Sequence, residues 1–455
     1  MIVTQKPAPG PSREYHFPQF ERRRLPNGIR LLIAPVRKLP IVTVMMVTEA
    51  GAVSEPRGEE GVAELTTRAL LEGSADRSGI ELTEQLERVG ASLEVSADWD
   101  AAVVSMTVLK TRLTQAFRLF AQVIGEPAFP EREVERLKSE RLAELLQIRT
   151  EPRTLASDMF SRFLYAPESR YALPEGGSTE TVGGITRIGT VGFYHARFMA
   201  GGTTIIFAGD ISATEAEDLA MSVLGDWPVL TPTQVSPIVA AARMSSAVHI
   251  VAKEDASQSE LRIGHVGIPR GHPDFYDALV MNAVLGGLFS SRINLNLRET
   301  HGYTYGASSY FDWRRHAGPF VVSTAVRSDV TDRAVSEILL EINRIQADPV
   351  SEEELTLATS FLEGVFPIKY ETTSAIAHAL ATLAVHDLPD NYFETYRAHI
   401  RAITPDRVLT VAQRHLHPDQ LQVVVVGDAS ATQGPLERLR GDPVTVYDSE
   451  GSALS

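Results

Sequence analysis

Two imidazoles stand two residues apart in His415-Leu416-His417, a spacing that puts both on one side of an extended segment and suits a metal ion. No third ligand stands nearby in the chain and Pro418-Asp419 follow directly, so the sequence favours a surface turn. Ser290-Ser291 with scattered histidines suggests a serine hydrolase, but the G-x-S-x-G elbow that exposes such a nucleophile is absent. Gly176-Gly177 and Gly183-Gly184 lack the Lys-Ser/Thr that completes a phosphate-binding loop. With Cys at 0, thiolate zinc sites, iron–sulfur clusters, disulfides and cysteine nucleophiles are excluded together.

Three charged segments remain. The turn Gly58-Glu59-Glu60-Gly61 opens the helical text VAELTTRALLEG, closed by Gly73, in which Glu64 and Arg68 share one face at i and i+4. A long helical pattern over 131–149, with Leu137, Leu142, Leu145 and Leu146 at helical spacing, carries Glu144 in Arg141-Leu-Ala-Glu144. The third segment runs from Leu285-Gly286-Gly287 through Ser290-Ser291-Arg292 to Leu297-Arg298-Glu299 and Gly302-Tyr303-Thr304-Tyr305-Gly306. Ser290 or Ser291 suits an N-cap and Gly302 a helix stop, which places Arg298 in the last helical turn and Tyr305 on the strand that follows.

The elements that must position these groups fall into two similar sets. The 455 residues, 44% hydrophobic and 22% charged, suit a folded chain of two to four domains. No run approaches eighteen apolar residues without a charge, so no membrane span is expected. The formal charge of −15 argues against binding nucleic acid or anionic lipid. Residues 1–24, with Pro7, Pro9 and Pro11 and no apolar leader, read as an extended arm; a cytoplasmic location is the expectation, and a periplasmic one holds if a signal peptide has been removed. Pro228, Pro232 and Pro237 mark a linker over 229–245. On either side of it the text repeats: Ile185 to Asp210 and Ile403 to Asp428 both span 25 positions, each a helix start leading to a short buried strand that ends in Gly-Asp. The offset of 218 points to duplication, with halves at 25–228 and 246–435 and a tail at 436–455.

In this layout the chain resembles the pitrilysin and mitochondrial processing peptidase family of zinc peptidases, the inverzincins. The resemblance takes in the strand pair, the 62–73 helix, the Glu-rich helix, the Gly-Asp strand, the linker and the LGG…SR…LRE…GYTYG frame. It implies an α+β fold of two duplicated halves, each a mostly antiparallel sheet packed with helices, facing each other like a clam shell around a cavity. The family carries H-x-x-E-H on the first helix, where two imidazoles one turn apart converge on zinc and the glutamate activates water. Laid on this sequence those positions hold Glu64, Thr67 and Arg68, and the family's third ligand falls on Glu144. Both imidazoles and the base are missing, and a guanidinium at the second position repels a dication, so no metal is expected in this chain. Arg68 is expected to pair with Glu144 and with Glu64 instead.

The family's Arg and Tyr that reach the peptide substrate, seven residues apart, match Arg298 and Tyr305. An Arg fork suits a substrate carbonyl and a Tyr hydroxyl suits the oxyanion of hydrolysis. The resemblance therefore implies the non-catalytic, substrate-binding subunit of a heteromeric zinc metalloendopeptidase. Arg298 and Tyr305 would act in trans at the zinc site of a homologous partner bearing H-x-x-E-H, as a heterodimer or a dimer of heterodimers. Peptides would be the substrates, zinc would belong to the partner, and the chain alone would be inactive. The alternative is a structural scaffold or peptide-binding protein derived from the same fold.

Overall fold

The computed structural model describes residues 14–235, 245–441 and 444–454. The β-branched runs near the start form β1 (Glu21–Arg24), β2 (Arg30–Pro35) and β3 (Ile41–Thr48). A small clip of β4 (Gly73–Ser74) and β5 (Arg77–Ser78) follows, then β6 (Glu94–Ala97), β7 (Ala102–Leu109) and β8 (Thr203–Gly209). Apart from the clip, these strands form a sheet in the order β1-β2-β8-β3-β7-β6, antiparallel except between β2 and β8. The second half supplies β9 (Ala247–Ala252), β10 (Gln258–Val266), β11 (Ala307–Phe311), β12 (Pro319–Arg327), β13 (Gln422–Gly427) and β14 (Val444–Tyr447). Their order is β11-β12-β10-β13-β9-β14, parallel only where β9 meets β13 and β14.

Five positions of the two sheets correspond, β2-β8-β3-β7-β6 with β9-β13-β10-β12-β11, and the two Gly-Asp strand ends fall on β8 and β13. The sixth strand breaks the correspondence. β1 precedes β2 and lies antiparallel to it, whereas β14 arrives from the far end of the chain and lies parallel to β9. The described residues past 435, up to 447, accordingly belong to the folded half and are not a tail. The helix Ala429–Arg440 runs through that point, and β14 fills the sheet edge. Of the expected arm over 1–24, the described part, 14–24, packs on the fold: β1 begins at Glu21, and Phe17 stacks on Phe393 at 4.2 Å. The proposed linker lies partly outside the described residues.

The text of β3, IVTVMMVT, is unbroken rather than alternating because both faces of its sheet are covered. Val42, Val44 and Met46 join one core with Leu31, Ile33, Ile205 and Phe207. Met45 and Val47 point the other way, into a second core with Leu32, Ala34, Ile206 and Ala208. The cover on that second face comes from the other half: helix Thr373–Val385, with Phe366 and Phe393, packs there, and Thr43 Oγ1 meets Thr373 Oγ1 at 2.9 Å. The exchange is reciprocal. Helix Pro152–Leu164 of the first half packs through Leu155, Phe160 and Phe163 on Val424, Val426 and Val321 of the second sheet. Buried Arg262 of β10 ties that helix down by donating to Ser157 Oγ (3.1 Å) and the Arg153 carbonyl (2.8 Å). Each half thus lends a helix to the other, and the clam shell is closed by cores that neither half completes alone.

Among the described residues one helical stretch, 275–300, is long and apolar enough to match a membrane span, with a mean hydropathy of 1.2 in its best window. In that window 67% is buried, so the apolar surface is used by the core.

Candidate functional site

Helix Val62–Ala69 starts at Gly61, whose φ of 99° is open to glycine and strained for other residues, and where a Cβ would approach the Gly176 carbonyl to 2.9 Å. This tight start turns Glu64 and Arg68 toward helix Glu131–Thr150, which brings Glu144. Arg68 forks onto Glu144 with Nη1 at 3.2 Å and Nη2 at 3.0 Å from its two oxygens, and Nη1 also reaches Glu64 at 3.4 Å. A second guanidinium, Arg141, contacts both carboxylates, at 3.1 Å from Glu144 and 3.4 Å from Glu64, and donates through Nε to the Gly176 carbonyl at 3.1 Å. Thr67 is fully buried, its hydroxyl donating back to the Ala63 carbonyl at 2.8 Å.

This quartet is charge-balanced, two guanidinia against two carboxylates. The bonds from Arg68, with those from Arg141, hold Glu144 below the usual carboxylate range. Burial pushes Glu64 up, with Arg141 and Arg68 opposing. The donor set does not fit zinc: it has no imidazole, its base position is a sequestered hydroxyl, and two cations already share both carboxylates. Arg141 went unnoticed in the sequence as a functional residue, although it stands one helical turn before Glu144.

The second region is built by the glycine-rich frame. Helix Phe275–Asn282 continues into a π-turn, Ala283–Gly287, and after Arg292–Asn294 a second π-turn, Leu295–Thr300, carries Arg298. Gly286 lets the first of these press on β11, since a Cβ there would lie 2.4 Å from Ser309 Oγ. Asn282 Nδ2 donates to the Ser309 carbonyl at 3.0 Å, and Arg292 forks onto Glu354 at 2.6 and 3.0 Å. Ser291 occupies the N-cap position without a side-chain cap, and Gly302, at φ 63°, ends the helical run. Arg298 lies over the Phe289 ring at 4.6 Å and beside Glu299 at 3.2 Å.

Tyr305 is not on the following strand. The Thr304 hydroxyl closes a tight turn on Gly306, accepting its N–H at 3.1 Å, so the chain enters β11 only at Ala307. Tyr305 rides on that turn, 94% exposed, and Phe289 and Leu295 of the same sequence frame are also exposed. Among the described residues, neither Arg298 nor Tyr305 lines the two cavities described next.

Those cavities lie beside the quartet and were not visible in the sequence. One of 340 Å³ is lined by Glu64, Asp98, Arg141, Asp158 and Glu175; an adjoining one of 180 Å³ shares Asp158 and Glu175 and reaches Arg262, Tyr310 and Arg314 of the second half. Burial pushes the Asp158 carboxyl up to about 6, with Arg141 opposing. Burial and the like charge of Asp98 push Glu175 up to about 7, although the residue as a whole is exposed. An acid whose folded pKa exceeds its unfolded value near 4 binds extra protons in the folded state, so its share of stability is lost as pH rises toward 6. Asp158→Asn should therefore gain on the wild type between about pH 5 and pH 8, by about 1–2 kcal/mol for a partly wet carboxyl. Urea midpoints at the two pH values measure this, and an unchanged difference between the two proteins counts against it.

Residues 33–170 match the family model described as insulinase (peptidase family M16), and residues 191–362 match the peptidase M16 inactive domain. The chain belongs to the M16 peptidase family, the pitrilysin-like zinc peptidases. A crystal structure of a peptidase M16 inactive domain from Pseudomonas fluorescens is 25% identical, superposes with a TM-score of 0.84, and covers 90% of this chain and 98% of its own. A protease from Helicobacter pylori, 16% identical, shares the fold with a TM-score of 0.83 over 90% of this chain and 100% of its own. An uncharacterized zinc protease of Mycobacterium tuberculosis (strain ATCC 25618 / H37Rv) is 24% identical over 426 residues, 92% of this chain and 95% of that one. Another, from Bacillus subtilis (strain 168), is 20% identical over 356 residues, 78% of this chain and 86% of that one.

Proposed function

We propose that this chain is the non-catalytic, substrate-binding subunit of a two-chain zinc endopeptidase. A homologous partner bearing H-x-x-E-H holds the zinc, and Arg298 and Tyr305 reach the peptide bound there. The observation that carries this reading is the contrast between the two regions. The zinc position is closed by the Arg68–Glu144 fork and by Arg141. The Arg298–Tyr305 segment instead faces outward, with Tyr305 94% exposed and the Arg298 side chain 38% exposed. A tyrosine hydroxyl in the open is wet and ready to donate, whereas one serving the fold alone finds a buried partner. Within the complex, Arg298 exchanges Glu299 for a substrate carbonyl, and the Tyr305 O–H donates to the oxygen on which negative charge develops.

The test is isolation of the protein from its native cells under mild conditions. A co-purifying chain of similar size with an intact H-x-x-E-H, and peptidase activity only in the mixture, is the expected result. Travel alone, or within a large assembly lacking such a chain, overturns the trans-acting role and leaves the scaffold or peptide-binding reading.

A further inference from the structure

His415 and His417 do not point to one side. His415 ends helix Pro405–His415, and its Nε2 lies 2.7 Å from Oδ2 of Asp274, the residue that precedes helix Phe275–Asn282. His417 instead meets His265, ring centroids 5.0 Å apart. The third group missing from the sequence comes from a loop 143 positions earlier: the ring of His272 stands edge-on to His415 at 4.9 Å, and its Nδ1 accepts the Asp274 N–H at 3.1 Å.

We propose that His272, Asp274 and His415 form a binding site for a borderline divalent cation of the zinc, cobalt and nickel type, separate from the degenerate motif. One donor atom from each residue lies within 4.8 Å of the other two. Around an ion with bonds of about 2.1 Å, tetrahedral donors are spaced by about 3.4 Å. The widest separation, no more than 4.8 Å, therefore needs to close by at most about 1.4 Å, which the loop bearing His272 can supply by side-chain rotation. Two imidazoles and one carboxylate are the donor types that suit these ions, and three protein donors leave one position to water.

A simple clamp between two helices needs less than is present. Arg414 already donates to Asp274 Oδ2 at 2.8 Å, and together with His415 it satisfies that oxygen. Yet a second imidazole is set against the first. The Arg414 guanidinium is 59% exposed and can swing into water, so the ion takes its place beside Asp274 at little cost. The surroundings are rich in the same ligand type: His399, which lines a 250 Å³ cavity together with His272, stacks on Tyr276 at 4.5 Å.

The experiment titrates zinc alone into the full-length, tag-free, chelator-stripped chain by calorimetry, with cobalt absorption as the coordination probe. One equivalent is expected, with visible cobalt bands of mixed nitrogen and oxygen ligation and a melting temperature raised by zinc. His272→Gln and His415→Gln should each weaken binding by at least about tenfold, while Glu144→Gln leaves it unchanged. Because His415 also joins two helices, His272→Gln on the loop keeps the test valid if His415→Gln fails to fold. Absence of binding, binding undiminished in His272→Gln, or binding lost in Glu144→Gln but kept in His272→Gln each overturns the site. None of these outcomes bears on the two-chain peptidase.

Discussion

Tyr305→Phe is expected to lower the turnover of the proposed two-chain complex by about 100-fold or more, the cost of removing one oxyanion donor. The phenol is 94% exposed and follows a turn closed by Thr304 and Gly306, so its hydroxyl contributes nothing to this chain's packing. The variant should therefore melt with the wild type and bind the partner equally well. The loss should fall on kcat, with KM nearly unchanged, because the oxyanion exists only in the transition state. On the proposed reading Arg298 holds a ground-state carbonyl, so Arg298→Ala should raise KM more than it lowers kcat. Arg298→Lys should rescue little, since an ammonium offers a point charge in place of a planar fork. Steady-state assays of reconstituted complexes separate the cases: a Tyr305→Phe complex within twofold of wild type rules out the in-trans role.

Local patterns in the sequence carried the elements, the duplication and the Glu64–Arg68 pair, and the family resemblance brought Glu144 to it. The i and i+4 pair is set by helical geometry alone, and a 25-residue helix-to-strand spacing repeated 218 positions on has few explanations besides a copied half. What stayed hidden depends on contacts between distant segments. The exchanged helices Pro152–Leu164 and Thr373–Val385 carry apolar faces that suit any sheet, and nothing in their text says which half they cover. Asp158 lies on one of these helices and Glu175 on a loop after it, so the cavities they line together have no linear signature. Arg141 was hidden by its bland setting in a surface-like Glu-rich helix, and Asp274 and His272 lie 141 and 143 positions before His415. The misplaced Tyr305 has a local cause: a Thr hydroxyl closed a turn where the pattern suggested a strand.

Glu55→Ala is expected to be the most damaging single change to the fold, costing about 3–5 kcal/mol against a total stability of about 5–15 kcal/mol. One oxygen of Glu55 accepts the N–H groups of Gly61 and Ala63 at 3.0 and 2.9 Å, capping the helix that carries Glu64 and Arg68. The other takes Arg170 through Nε at 3.1 Å and Nη2 at 2.5 Å. Arg170, itself nearly buried, lies 5.1 Å from the Trp99 ring and donates to the carbonyls of Leu173 and Glu175, fixing the loop that lines both cavities. Alanine leaves a guanidinium and two amides buried without their acceptor. Burial nonetheless pushes the Glu55 carboxyl up to about 7, so the attraction of Arg170 does not fully offset the desolvation of the pair. The charges are thus costly to hold and costlier to separate. A paired replacement, Glu55→Gln with Arg170→Met, keeps an acceptor for both amides and removes both charges, and should recover at least half of the loss. Urea unfolding of the single and double variants as a cycle measures the coupling. A Glu55→Ala penalty below about 1 kcal/mol, or a double variant as unstable as Glu55→Ala, would show that the helix start is held by packing around Gly61 and not by this pair.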